Sequence, residues 1–402
     1  MESRLPFLTR WSARRFDVSV FTLALAVRLA ALALFQARGL GDAYGRDIYF
    51  TLALSWLGRL PMPSFDATHP PLYTLLIAGV LGLLKTSSQL PVLFLQVFLG
   101  AGSVLLARRI GAFLLDEKTA RLGALWLALD PAVIFFTPQL QTETLFVAMM
   151  LAFFLGLLEL WDKPLSWRHA ALGLWGGLCV SCRSVFGAFP AFLFWAVWRS
   201  KGFFRALFFC LVLAPGWFLP SGLWAARNYW KYRQLVPLSG QMGWTLYEGF
   251  SLDREVVRNH PMEMTAEAKR MGVGERAVGA YFFARWKTFV RENPLQSAAI
   301  VVGKIILYWR PWLYDPYTGW QRAVMGVYFT VLFACALFGA RTALASRAPW
   351  GPVWAALVYH TAVHAVFMTS LRYRVPLEPF LCLLAAAGVA PYLAFRVGSP
   401  RA

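Results

Sequence analysis

Charge is scarce in this chain of 402 residues, where Asp, Glu, Lys and Arg make up 15%. A soluble domain carries about a quarter. Acids are scarcer than bases, 20 against 39, which leaves a net charge of +19. Only one long stretch is hydrophilic, residues 224–294. The composition is 58% hydrophobic with a mean hydropathy of +0.53, which excludes an ordinary soluble globule. Five cysteines (Cys179, Cys182, Cys210, Cys335, Cys382) all fall in apolar segments. Cys179 and Cys182 form a C-x-x-C, but no second pair completes a zinc site and the setting is not that of a redox motif. They read as small buried apolar residues.

What the chain does have is a series of apolar runs, roughly 18–22 residues each and long enough to cross a ~30 Å hydrocarbon core. One such run could be a buried helix; a series from end to end means a polytopic membrane protein. The positive charge fits that reading better than nucleic-acid binding. Arg10, Arg14 and Arg15, or Arg108 and Arg109, sit at the ends of runs, where they meet lipid phosphates and set orientation.

Residues 1–16 are basic, and the first run, 18–37, carries Arg28. It lacks a small-residue cleavage site and reads as a retained helix. A polar loop follows over 38–70, with an amphipathic helix expected over 44–58. A span is expected from Pro70-Pro71, since proline is accepted in a first helical turn. Further spans are expected near 90–107, 119–137, 141–160, 170–198 (interrupted by Arg183) and 203–223. After 224–294, with helical pieces at 262–271 and 275–291, spans recur near 295–311, 322–340, 350–368 and 376–396. The expected fold class is an all-α polytopic helical bundle with about 11 transmembrane helices and juxtamembrane helices beside them. Three parts follow: 1–223 as an N-terminal transmembrane module holding the chemistry, 224–294 as a long loop, and 295–402 as C-terminal helices.

The basic N-terminus places loop 38–70 outside, and alternation with 170–198 as one span places 224–294 there too. The same alternation puts the basic stretch 108–121 outside, against the positive-inside rule.

Candidate chemistry concentrates in GDAYGRDIYFTLALSWLGRLPMPSFDATHPPLY, with Asp42, Asp47, Asp66 and His69. A carboxylate at a membrane surface can take a proton from an attacking hydroxyl. A histidine or arginine beside it can hold a phosphate leaving group. Ionisable groups inside spans are costly and are functional candidates by default: Arg28, Asp130, Glu143, Arg183 and Glu378. A salt bridge from Arg28 or Arg183 to Glu143 is an equally good reading. His360 and His364 share a helix face, but HTAVH lacks the glutamate of a zinc-hydrolase motif. The run YWRPWLYDPYTGW reads first as an interfacial aromatic belt, with sugar stacking as its second reading.

The first loop resembles that of the GT-C glycosyltransferases, in particular the group of protein O-mannosyltransferases and lipid A aminoarabinose transferases. An acid follows the first span (Asp42 or Asp47), then Tyr49 and Ala53, then His69-Pro70-Pro71-Leu72-Tyr73. FFTPQLQTETLF resembles the family segment ending in Thr-Glu, here Thr142 and Glu143; LWAARNYW resembles its Trp-x-x-Arg-Asn-Tyr run; LRYRVP resembles its Arg-Tyr-x-x-Pro entry to a late helix. Four patterns in order cover most of the chain.

The resemblance implies a polyprenyl- or dolichyl-phosphate sugar donor, inversion at the anomeric carbon, and a first-loop acid as base. By position that base is Asp47 or Asp42. It implies that His69 lies near the carrier phosphate, a polar residue at a helix start being the other reading. Arg227, whose guanidinium can bind such oxygens or snorkel to the interface, and Tyr73, Glu143, Arg183 and Arg372 are the further candidates for donor-phosphate or substrate contact. No cofactor is required, and nothing in the sequence supports a divalent metal. Expected partners are the lipid-linked donor, membrane lipids, and a lipid, glycan or protein acceptor, with no nucleic acid. The expected location is a bacterial inner (plasma) membrane with the site on the extracytoplasmic face. No ATP-binding or nucleotide-sugar loop is visible, which agrees with a preactivated lipid donor. A transporter or flippase of lipid-linked sugars, or a surface-polysaccharide ligase or polymerase, are the alternatives. The former often shows internal repeats, and none is seen.

Overall fold

The computed structural model describes residues 11–39, 48–250, 264, 266–312 and 319–395, and among these there is no strand. Helix α1 (Ala13–Ala37) is capped by the Ser12 hydroxyl, which accepts from the Arg15 amide. Its 25 residues reach about 37 Å, a full crossing. It buries Phe16, Val20, Ala24, Arg28 and Leu32, a stripe at four-residue spacing. Then come α2 (Ile48–Trp56), α3 (Pro71–Leu83) and α4 (Leu90–Leu114). Helix α5 (Glu117–Ala128), capped by Asp116, stops short, and Asp130 restarts the chain as α6 (Pro131–Phe136) by accepting from the Val133 amide. Helices α7 (Thr142–Leu160), α8 (Trp167–Cys182), α9 (Phe189–Lys201) and α10 (Phe203–Tyr232) follow. The second loop carries α11 (Met242–Gly249) and α12 (Val278–Glu292). Helices α13 (Pro294–Trp309), α14 (Gly319–Ala345), α15 (Gly351–Val366), α16 (Leu371–Arg374) and α17 (Glu378–Phe395) complete the chain. Among the described residues, six helical stretches are long and apolar enough to cross a membrane alone: Ala13–Ala37, Leu90–Leu114, Thr142–Leu160, Phe203–Tyr232, Arg322–Ala345 and Leu371–Leu393. The protein is an integral membrane helical bundle.

Ion pairs fix which ends share a face. Arg108, near the end of α4, bonds Asp17 at 2.5 Å and Glu117 at 3.0 Å, and Arg121 donates to the Trp11 carbonyl at 2.9 Å. Stretch 108–121 therefore lies beside the start of α1, not opposite it. The reason is α3. Its 13 residues span only about 20 Å, and both of its ends lie on the face where α4 begins. Arg59, just past α2, bonds the carbonyls of Leu81 and Thr86 at the end of α3, while Tyr73 at its start reaches Gln96 in α4. The span expected from Pro71 is thus a helix that does not cross, and the clash with the positive-inside rule disappears.

A second departure offsets the first. Stretch 170–198 is two helices: at Arg183 the backbone turns extended (φ −139°, ψ 108°), and α9 returns so that Lys201 bonds Asp162 beside the start of α8. One crossing is lost and one gained, so loops 38–70 and 233–293 still share a face, here the loop face. The expected division at residue 224 falls inside α10, which runs unbroken to Tyr232.

Two crossings depend on glycine for close backbone approach. A Cβ on Gly173 or Gly216 would strike the facing backbone where α8 meets α10, and Gly339 and Gly388 do the same between α14 and α17. Small residues of this kind let helices pack tightly where lipid supplies no hydrophobic drive between them.

Candidate active site

The loop face gathers polar side chains from five distant segments. Asp42 and Asp47 lie outside the described residues, immediately before α2. Tyr49, on the first turn of α2, is edge-on to His69 (5.0 Å between ring centroids) and to Tyr73 (5.2 Å). His69 is half-buried, with Nδ1 3.0 Å from the Thr68 hydroxyl. Burial, and then the nearby charge of Arg372, push its pKa down to about 4, so at neutral pH it is an uncharged hydrogen-bonding group.

Tyr73 is turned inward. It is fully buried and donates its hydroxyl to Gln96, whose amide donates to the carbonyls of Thr137 (2.8 Å) and Gln139 (2.7 Å). In this position Tyr73 supports the site from behind through Gln96.

At the centre is Glu143, in the first turn of α7 and wholly buried. Arg183 approaches it at 3.3 Å, and the Arg372 Nε forms a second, short ion pair with it. Of the two readings for Glu143, the structure supplies the bridge to Arg183 and not the one to Arg28. Arg28 instead donates to the carbonyls of Ala24 (3.1 Å) and Ala128 (3.2 Å). Two guanidiniums against one carboxylate leave one formal positive charge over. It is the Arg372 side that opens outward, 33% exposed against 8% for Arg183. Arg183 also lies over the rings of Tyr373 (5.4 Å) and Phe146 (5.6 Å). Glu143 has one oxygen, Oε2, without a hydrogen-bond partner among the described residues. A buried carboxylate in that state marks a place where a further donor is accommodated.

Arg227 is placed elsewhere. Both of its terminal nitrogens bond Asp66 at 2.6 Å, in a bidentate pair joined by Lys231 (3.0 Å) and the Tyr232 hydroxyl (2.6 Å). Burial alone would raise the Asp66 carboxyl, but hydrogen bonds from Arg227, Tyr232 and Lys231 reverse this and hold it well below the usual range. Arg227 is engaged by Asp66, with a third of its side chain still exposed. It locks the first loop to the end of α10, because a buried carboxylate must be paired.

The other intramembrane charges form a separate set. Asp130 accepts from the Tyr328 hydroxyl (2.6 Å), and Glu378 pairs with Arg374 (3.1 Å). Among the described residues no three His, Cys, Asp or Glu side chains gather to hold a metal, and His364 Nδ1 is taken up by the Met368 carbonyl. Of the aromatic run, Tyr308 is buried in the core and does not belong to an interfacial belt, whereas Trp312 and Trp320 are exposed.

Sequence reasoning missed two residues of the second loop's anchorage. Lys304 donates to the carbonyls of Val366 (3.0 Å) and Phe367 (2.8 Å) and covers the Phe250 ring at 4.4 Å. Glu248, raised by burial with Trp244 donating to it at 3.1 Å, lies close enough for its charge to bear on Tyr373. A lone lysine in an apolar run was the only signal for the first; nothing local marks the second.

Residues 68–224 match the model of the dolichyl-phosphate-mannose-protein mannosyltransferase family. No curated protein matches the sequence. Among solved structures, the chain is similar to the oligosaccharyltransferase AglB of Archaeoglobus fulgidus in complex with an inhibitory peptide and a dolichol-phosphate. The TM-score is 0.57 at 14% identity, over 98% of this chain and 53% of that one. It is also similar to the apo form of the Archaeoglobus fulgidus oligosaccharyltransferase, with a TM-score of 0.59 at 14% identity, over 96% of this chain and 51% of that one. The chain thus spans about half the length of these proteins, and the likeness is one of fold.

Proposed function

Taking the chain as a glycosyltransferase of the GT-C type, we propose that it transfers a sugar from a polyprenyl-phosphate carrier to an acceptor hydroxyl, on the extracytoplasmic side and with inversion. The observation that carries this reading is the Glu143–Arg183–Arg372 cluster. It keeps one positive charge in excess, on the side where Arg372 is partly open and His69 stands by.

The chemistry follows from charge. A sugar–phosphate–lipid diester carries one negative charge, and the departing lipid phosphate monoester carries a second. Arg372 meets the phosphate through a planar fork, and the uncharged His69 hydrogen-bonds to it. The acceptor oxygen attacks the anomeric carbon, the bond from that carbon to the phosphate oxygen breaks, and the hydroxyl proton passes to a first-loop aspartate. Asp47 and Asp42 are the candidates for this base. The growing charge on the leaving group is stabilised by the preformed positive excess, the kind of effect that supplies much of an enzyme's rate. That a solved protein of similar fold holds a dolichol-phosphate supports a lipid-linked donor. The second loop, pinned through Lys304 and Phe250, is placed to select the acceptor.

The test is sugar transfer in proteoliposomes. Asp47→Asn or Asp42→Asn, or the two together, is expected to lower the rate at least a hundredfold, within the range for a lost general base. Full activity in both single variants and the double variant would remove the aspartate from the mechanism. Solute uptake without any transfer would point to a transporter.

A further inference from the structure

Arg372 is delivered by a short turn, residues 367–373, and that turn is organised by one histidine. His364, in the last turn of α15, is 1% exposed. Its Nδ1 lies 2.9 Å from the Met368 carbonyl, which can only accept, so Nδ1 carries the proton. Its own carbonyl accepts the Thr369 hydroxyl. Its ring is stacked on Tyr308 (5.7 Å, planes 12° apart) and on Tyr373 (4.7 Å, 19°). The Tyr308 hydroxyl reaches the Tyr373 carbonyl at 3.2 Å. The imidazole therefore joins α13, α15 and the residue next to Arg372. The same Tyr373 ring receives the Arg183 guanidinium at 5.4 Å. Both arginines of the ion cluster border on it.

We propose that His364 is a positioning residue: through the Tyr308–His364–Tyr373 stack and the Met368 carbonyl it fixes the turn that aims Arg372 at the donor phosphate, without touching that phosphate. This rests on the reading in which Arg372 holds the phosphate. An arginine has a long, freely rotating stem, and small misplacements of a binding group cost much of its effect. Pinning the backbone and the neighbouring ring narrows the directions from which Arg372 can reach both Glu143 and a ligand.

The experiment measures the binding of polyprenyl phosphate, the expected product, to the full chain in lipid nanodiscs. His364→Ala, which loses both ring and proton donor, is expected to weaken binding about tenfold. His364→Phe keeps the ring and His364→Asn keeps a donor near the Nδ1 position; each should recover part of the loss. In an Arg372→Ala background, His364→Ala should cost less than a further twofold, because it acts through the missing side chain. Wild-type binding by His364→Ala, or losses that multiply fully in the double variant, overturn the proposal. If His364→Ala does not fold, the same comparison is made with His364→Phe and His364→Asn, each expected to lose two- to fivefold alone and nothing further without Arg372. Unchanged binding in Arg372→Ala alone is a different result and removes the phosphate reading itself.

Discussion

Glu143→Gln should make this protein less stable and, at the same time, a tighter binder of polyprenyl phosphate, the product under the proposed function. The substitution keeps shape but takes one negative charge from between two guanidiniums, raising the local formal charge from +1 to +2. Arg183, with 8% of its side chain exposed, is almost wholly buried. Arg372, a third exposed, can relax outward, so its share of the loss is screened. Removing one partner of a buried ion pair costs about 3–5 kcal/mol. With only Arg183 counted in full, about 3 kcal/mol is expected, read from denaturation in detergent micelles. The freed positive charge also ceases to be offset as a lipid phosphate arrives. At an effective dielectric constant of about 20, one charge acting across several ångströms is worth on the order of 1–3 kcal/mol, so binding of polyprenyl phosphate should tighten about tenfold or more. Turnover should then fall as release slows. A Glu143→Gln protein with wild-type stability and wild-type affinity for polyprenyl phosphate would refute the idea of a buried, unbalanced charge cluster.

Two further outcomes are expected. His69→Phe preserves the edge contact with Tyr49 and deletes the ring N–H, so the donor KM should rise roughly ten- to a hundredfold, the scale of one hydrogen bond to a charged group. An unchanged KM would place His69 away from the phosphate. Because burial lowers the His69 pKa to about 4, from about 6.5 when unfolded, it favours folding above that unfolded value and loses this contribution as the pH falls towards 4. The wild type should therefore weaken more than His69→Phe between pH 7 and pH 5. Asp66→Asn should cost about 2 kcal/mol, discounted because the Arg227 and Lys231 side chains are 34% and 40% exposed. Asp66 has a depressed pKa, so its contribution is present above about pH 4 and is lost at lower pH. The variant should show a flatter acid-denaturation curve, and an equally steep one would mean that other carboxyls set it.

Much of the fold was legible because crossing a membrane needs long apolar runs, and α1, α4, α7 and α10 carry theirs openly. The placement of both long loops on one face was read correctly, although two local readings differed from the structure. Pro71–Leu83 looks like the opening of a span, but its apolar run ends before it can reach across. Arg183 was visible as an interruption; that it marks a full reversal was not, because one charged residue can equally sit inside a continuous helix. Among the site residues, the Glu143–Arg183 pairing was open to inference from intramembrane charge alone. The pairing of Arg227 with Asp66, 161 positions apart in sequence, was not, since nothing local tells an arginine which loop acid it will meet. The inward turn of Tyr73 depends on Gln96, a residue without charge or motif to draw the eye.

The ion cluster joins Glu143 to a guanidinium 229 positions further along the chain. A nascent polypeptide inserted only as far as α14 therefore holds the Glu143–Arg183 pair alone, which is neutral overall and lacks the positive excess that Arg372 brings. If Arg372 is the phosphate-binding group proposed above, that function is assembled only once the final helices lodge in the bilayer.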